Sequence, residues 1–168
     1  MLVQDLANTV DLEMERDELR SPAELAGFAA AHGLELRFTP AELAEVLELR
    51  EALRDVCQAH AGVDVPAASA VVLDRALGHA SLVLSLDSSG GAVVRPAPGL
   101  AGLPALVARM AADINAAVID NTWPRLKACA ADSCRWVYYD RSPAGRSRWC
   151  TMAICGSRNK MRQYRARP

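Results

Sequence analysis

The sequence predicts a mainly helical α+β protein with one small β-hairpin, closed by a short segment that metal holds together. Three observations lead there. Two helix starts share the pattern Ser/Thr-Pro-Ala-Glu, two β-rich runs flank a Gly-Gly pair, and four of the five cysteines fall within residues 121–168. The chain has 168 residues, 51% hydrophobic but only 5% aromatic. Leu, Val and Ala must therefore fill the core, which suits packed helices. The length fits one domain with a small appendage.

The elements follow in order. Residues 5–11 predict a short helical turn. At Ser21-Pro22-Ala23-Glu24, Ser is the N-cap, Pro takes the first helical position and Glu the third, so a helix should run to about Ala31 and end at Gly33. Thr39-Pro40-Ala41-Glu42 repeats the arrangement. Leu43, Val46, Leu47, Leu53, Val56, Cys57 and His60 then recur at helical spacing, so this helix should reach Ala61 and stop at Gly62. Cys57 falls on its apolar face and reads as a core residue. Pro66 to Leu77 predicts another helix. Ser81–Leu86 and Ala92–Arg95, joined through Asp87-Ser88-Ser89-Gly90-Gly91, read as a hairpin over 81–95. A long helix over about 104–121 follows.

Charge divides the chain. Residues 1–120 hold 8 basic and 18 acidic side chains, a net of −10. Residues 121–168 hold 11 and 2, a net of +9, so the overall net of −1 conceals a sharp asymmetry. A boundary near Asn121–Trp123 would divide a helical domain, 1–121, from a basic one, 122–168. A basic segment of this kind suits a polyanion, or attraction to the acidic part of the same molecule. The N-terminus lacks a basic stretch leading into an apolar run, and Arg109, Asp113 and Asn115 interrupt the most apolar window. The expectation is a cytoplasmic protein without a membrane span.

Cys129 and Cys134 form one Cys-x4-Cys pair, and Cys150 and Cys155 form another. Structural zinc takes four tetrahedral ligands, and four thiolates are a common set, so one zinc ion per chain is expected. Two disulfides would require an oxidising compartment. An iron–sulfur cluster also uses four cysteines, but no Cys-x2-Cys run is present. Oxidation of the thiolates with release of metal stays open. Between the pairs, Trp136–Tyr139 is β-like and Ser142–Gly145 turns. Thr151 is the expected N-cap of a final helix reaching about Arg165, with Cys150 just before it and Cys155 in its first turn. The unit expected is a treble-clef-like zinc finger ending in a basic helix.

On that helix Arg158, Arg162 and Arg165 stand at i, i+4 and i+7 and share a face, while Lys160 and Arg167 extend the charge. Arg141, Arg146 and Arg148 add a basic loop. Nothing acidic follows Asp140. Lys and Arg neutralise phosphates and a helix fits the DNA major groove, so DNA is the expected partner and RNA the second candidate.

The run Arg148-Trp149-Cys150 through Cys155-Gly156-Ser157-Arg158, with the first cysteine pair and a Tyr-Arg-x-Arg tail, resembles the CGNR zinc finger. Ser157 stands where the name-giving Asn would be, which touches none of the cysteines. Asp5-Leu6-Ala7-Asn8-Thr9, Ser21-Pro22-Ala23-Glu24-Leu25 and Leu49-Arg50-Glu51-Ala52-Leu53-Arg54 resemble the companion ABATE domain of stress-induced transcription regulators. Together the resemblances imply a bacterial zinc-dependent DNA-binding regulator.

The N-terminal domain would then dimerise or sense an effector. Arg50 and Arg54, one turn apart, with Asn8, are candidates for binding an anionic small molecule; the competing reading pairs them with acids such as Glu51 or Asp11. The basic finger would equally suit an RNA- or ribosome-binding module. In a ligand sensor the finger would be only structural. Catalysis is not expected. His32, His60 and His79 lie far apart, no nucleophile–base signature is present, and four cysteines leave zinc no open position.

Overall fold

The computed structural model describes residues 1–165. Helix α1 (Leu2–Ala7) leads into a minimal hairpin of β1 (Val10–Asp11) and β2 (Arg16–Asp17). Sequence patterning missed this hairpin because it has too few residues to show a period. Its turn forms because Asp11 Oδ1 accepts the backbone N–H groups of Glu13 (2.9 Å) and Met14 (3.0 Å), a competition with strand pairing typical of short acidic side chains.

Helices α2 (Pro22–Ala31) and α3 (Pro40–Ala59) begin at the two Ser/Thr-Pro-x-Glu signals. Ser21 Oγ accepts the Glu24 N–H, and Thr39 and Glu42 close a reciprocal capping box. Glu42 does more than finish its own helix. Its second carboxylate oxygen accepts the Leu103 N–H at 3.0 Å, satisfying a free donor at the start of a distant helix, α5 (Gly102–Ile119). Gly102 makes that approach possible: its φ is +54°, and a Cβ there would stand 2.3 Å from Glu42 Oε1. Helix α4 (Ala67–Leu77) precedes a second hairpin, β3 (Leu82–Leu86) with β4 (Ala92–Pro96).

The core gathers Leu2, Val3 and Leu6 of α1, Leu25 of α2, the Leu43–Cys57 stripe of α3, and Leu106, Val107 and Met110 of α5. Helix α5 is long and apolar enough to cross a membrane. Its buried stripe is nevertheless spent on this core, and Arg109 and Asp113 pair on its outer side at 3.0 Å. Cys57 is fully buried, and burial pushes its thiol up to about 12.

Beyond α5, a 3-10 turn leads to β5 (Leu126–Ala128), which pairs antiparallel with β6 (Val137–Tyr139). The architecture is thus mainly helical with three two-stranded hairpins among the described residues. Leu126, Ala128 and Val137 belong to the same apolar cluster as the helices, so this third hairpin joins the segment carrying the four cysteines to the helical core.

Candidate metal centre and nucleic-acid interface

The β5–β6 hairpin delivers the first cysteine pair. Cys129 N–H donates to Trp136 O, continuing the ladder by one residue, and Cys134 N–H donates to Ala131 O, both at 2.9 Å, to close a tight knuckle. Arg135, with φ +47°, turns the chain back into β6. The second pair arrives from a loop fastened by Ala130 N–H to Arg148 O at 2.9 Å.

That loop is anchored by a buried ion pair that sequence patterning did not find. Lys127 Nζ lies 2.9 Å from Asp140 Oδ2, and both side chains are almost completely enclosed. Asp140 also accepts the N–H groups of Ser142 and Ser147. Burial alone would raise its carboxyl, but Lys127 and these donors hold it far below the usual carboxylate range. No local signal marks Lys127, because its partner is thirteen residues away across a hairpin.

The final helix departs from expectation at its start. Met152–Gly156 forms a wide π turn, with Gly156 N–H donating to Thr151 O at 3.1 Å, and helix α6 proper runs Ser157–Arg165. Thr151 makes no side-chain cap, and Cys155 lies in the wide turn, before the α-helix begins. Helix periodicity cannot reveal such a turn. Gly156 is close-packed here: a Cβ would meet Met152 Sδ at 2.9 Å, so a larger residue would displace the exposed end of that side chain. Ser157, in place of the name-giving Asn, donates from Oγ to Met152 O at 3.0 Å and closes this turn.

The outcome is a cluster of four sulfurs, from Cys129, Cys134, Cys150 and Cys155, all within 4.8 Å of one another. Cys150 Sγ lies 3.7 Å from both Cys134 Sγ and Cys155 Sγ. Zinc–sulfur bonds of ~2.3 Å in a tetrahedron place neighbouring sulfurs ~3.8 Å apart, so the cage fits zinc and is far too wide for disulfides. The thiols point to the same need for a cation. Burial, with like charge on Cys129 and Cys150, pushes Cys134 up to about 11, and burial also raises Cys155. Cys129 is buried too, but N–H groups of Cys150 and Ala131 and neighbouring thiols outweigh that and lower it. A divalent cation lets all four become thiolates together. One zinc ion is the cofactor of this site.

The described basic residues fall into two groups. Arg158, Arg162 and Arg165 of α6 line one open groove with Met161, Ile154 and Ser133, and Lys160 is exposed on the same helix. Arg141, Arg146 and Arg148 are exposed in the loop, where Arg148 lies 5.7 Å over the Trp149 ring. Arg167 lies outside the described residues. Among the described residues, of these seven cations only Arg158 has an acidic partner, Glu13 Oε1 at 2.6 Å, in the turn between β1 and β2.

Asn8, Arg50 and Arg54 are taken up by protein groups. Arg50 makes a bidentate pair with Asp17 (2.8 and 2.7 Å) and reaches Glu51 at 3.1 Å. Arg54 is fully buried; it donates to Ala7 O and Arg135 O, with Glu51 3.4 Å from its Nε. Arg135 in turn reaches Asp55 of α3 at 2.5 Å. Asn8 binds the backbone of Val137. Asp17, absent from the sequence expectation, takes the place foreseen for Asp11.

Two families match the chain. Residues 1–118 match ABATE, described as "Putative stress-induced transcription regulator", and residues 125–168 match the CGNR zinc finger. A comparison with curated proteins returned no match. With its N-terminal 118 residues matched and a cage of four cysteines inside the second match, the chain belongs to the ABATE family and carries a C-terminal CGNR zinc finger.

Proposed function

We propose that this protein is a zinc-dependent, DNA-binding transcription regulator of the cytoplasm. Residues 122–168 act as a treble-clef-like reading unit, and residues 1–121 dimerise or sense an effector. One observation carries the reading: the cysteine cage fixes the turn from which α6 departs, and Arg158, Arg162 and Arg165 of that helix line a single open groove. Cations aligned on a rigid helix match the phosphate spacing of a duplex better than cations on a free tail. The family description agrees with this role. The zinc would be structural rather than catalytic, because four thiolates occupy its shell and leave no place for a reacting water.

An effector role has one observation in its favour. A cavity of about 180 Å³ between α3, α4 and α5 is lined by Leu49, Val72, Leu103 and Val107, with Glu45 and His79 also on its wall.

The test is selection from random duplexes with the zinc-loaded protein, followed by binding isotherms over a salt series. Each phosphate neutralised contributes ~0.9 to the slope of log affinity against log salt. Enrichment of a defined sequence with a slope of several units supports the proposal. Binding that ignores salt, or persists after zinc removal, refutes it. Preference for structured RNA over the selected duplex moves the role to RNA.

A further inference from the structure

The hairpin of β3 and β4 has a free edge whose chemistry is self-complementary. Its register pairs Leu86 with Ala92, Leu84 with Val94 and Leu82 with Pro96. Hydrogen bonds just beyond each end fix which groups face inward: Asp87 N–H donates to Gly91 O, and Ala97 N–H to Ser81 O, both at 2.9 Å. Antiparallel pairs alternate between bonded and non-bonded. Residues 81, 83, 85 and 87 therefore direct their backbone groups at β4. The N–H and C=O groups of Leu82, Leu84 and Leu86 point the other way. Pro96 agrees with this phase, since a residue without an N–H sits at an outward position.

The two edges of the sheet differ. Strand β4 lies against α5. On the β3 side, no described backbone or side-chain group bonds to Leu82, Leu84 or Leu86. Leu84 and Leu86 are 67% and 72% exposed. Proteins protect exposed edges with Lys, Pro, bulges or inward charges. Strand β3, Leu82-Val83-Leu84-Ser85-Leu86, has none of these.

We propose that β3 is a homodimerisation strand, pairing antiparallel with β3 of a second copy about a two-fold axis through Leu84. This deepens the dimerisation part of the proposed function and stands apart from DNA recognition. Centred there, Leu84 meets Leu84, and Leu82 meets Leu86 on either side. All three are outward-facing residues, so every facing pair exchanges both of its hydrogen bonds. The same step of two puts the leucines of both copies on one face of a four-stranded sheet. A second copy is the occupant because the match is isologous and closes on itself. It also brings together an uncharged strand of a region with a net charge of −10. A contact built on one strand pair is smaller than the ~800 Å² per partner of a standard interface, so a dimer in the micromolar range is expected.

The experiment uses the full zinc-loaded protein without DNA. Sedimentation velocity from low to high micromolar concentration should show a shift from monomer to dimer. Raising the salt should strengthen the dimer by screening acidic repulsion, the opposite of its effect on DNA binding. Amide exchange should slow at residues 82, 84 and 86 at high concentration. Leu84→Pro removes an outward N–H without touching a bond to β4 and should leave a monomer. Leu86→Lys should weaken the dimer at least tenfold while circular dichroism and zinc content stay unchanged. A monomer at every concentration overturns the proposal, as does a dimer that tolerates both substitutions.

Discussion

Asn8 imitates a strand. Its side-chain amide donates from Nδ2 to Val137 O and accepts from Val137 N–H through Oδ1, each at 2.8 Å. Position 137 opens β6, and Gln4 Nε2 adds a third bond to the same carbonyl at 3.3 Å. The end of α1 is thereby fastened to the hairpin that carries Cys129 and Cys134.

Asn8→Ala should cost about 2 kcal/mol, because the two backbone groups of Val137 lose this partner in a largely dry setting. Chemical denaturation of the zinc-loaded protein would measure it. An unchanged midpoint would mean that water replaces the amide freely. Asn8→Asp should cost at least as much, since it keeps the acceptor but sets a carboxylate oxygen against the Val137 carbonyl.

Glu13 pairs with Arg158, a side chain that the proposed function assigns to phosphate. The pair is exposed on both sides, so its contribution is small. Under the proposed function, Glu13→Gln should raise affinity for the selected duplex by up to about fivefold at low salt. Arg158→Ala should lower affinity and reduce the salt slope by about one unit. Fluorescence anisotropy over a salt series reads both. A weaker-binding Glu13→Gln variant would show that the contact positions α6 instead of occupying it.

Metal removal should expose four thiols and leave the fifth slow. The cage holds Cys129, Cys134, Cys150 and Cys155, while Cys57 is buried among α3 and its neighbours with its thiol pushed up to about 12. Thiol titration with a chelator should therefore release one zinc and four fast thiols per chain. Loss of helical signal should be limited to the region of α6, because α1 to α5 share a separate apolar core. Five fast thiols would mean that the core opens with the finger.

Glu42 supplies a pH dependence whose sign follows from its bonds. The Leu103 N–H, followed by that of Thr39, stabilises its charged form and lowers its carboxyl from the ordinary 4.5. A depressed folded value means stability that is complete above about pH 5 and declines as pH falls through the folded value. Glu42→Gln should flatten that acidic limb in denaturation midpoints taken from about pH 6 to about pH 3. A limb as steep as the parent's would assign acid sensitivity elsewhere, with Asp140 and its Lys127 partner next in line.

Local signals were strong wherever a residue acts on its own neighbourhood. Ser21, Thr39 and their following Pro and Glu marked two helix starts, and the Gly90-Gly91 pair marked the hairpin turn, because caps and turns depend on four or five consecutive residues. The cysteine spacing named the metal ligands for the same reason. The wide turn at Met152–Gly156 stayed hidden, since Thr151 looks like a cap and the extra residue per turn leaves no periodic trace. The β1–β2 hairpin was too short to register.

What the sequence determined by itself is the list of longer elements, the four sulfur ligands and the segregation of charge into an acidic region and a basic one. The tertiary structure decided their couplings. It placed Lys127 on Asp140, Asn8 on Val137, Arg50 on Asp17 and Glu42 on Leu103. Each pair joins residues on different elements, and the polar side chains involved have many conceivable partners in one dimension. Only when the apolar stripes pack do burial and distance reduce those choices to one, because a polar group excluded from water must bond to what lies beside it.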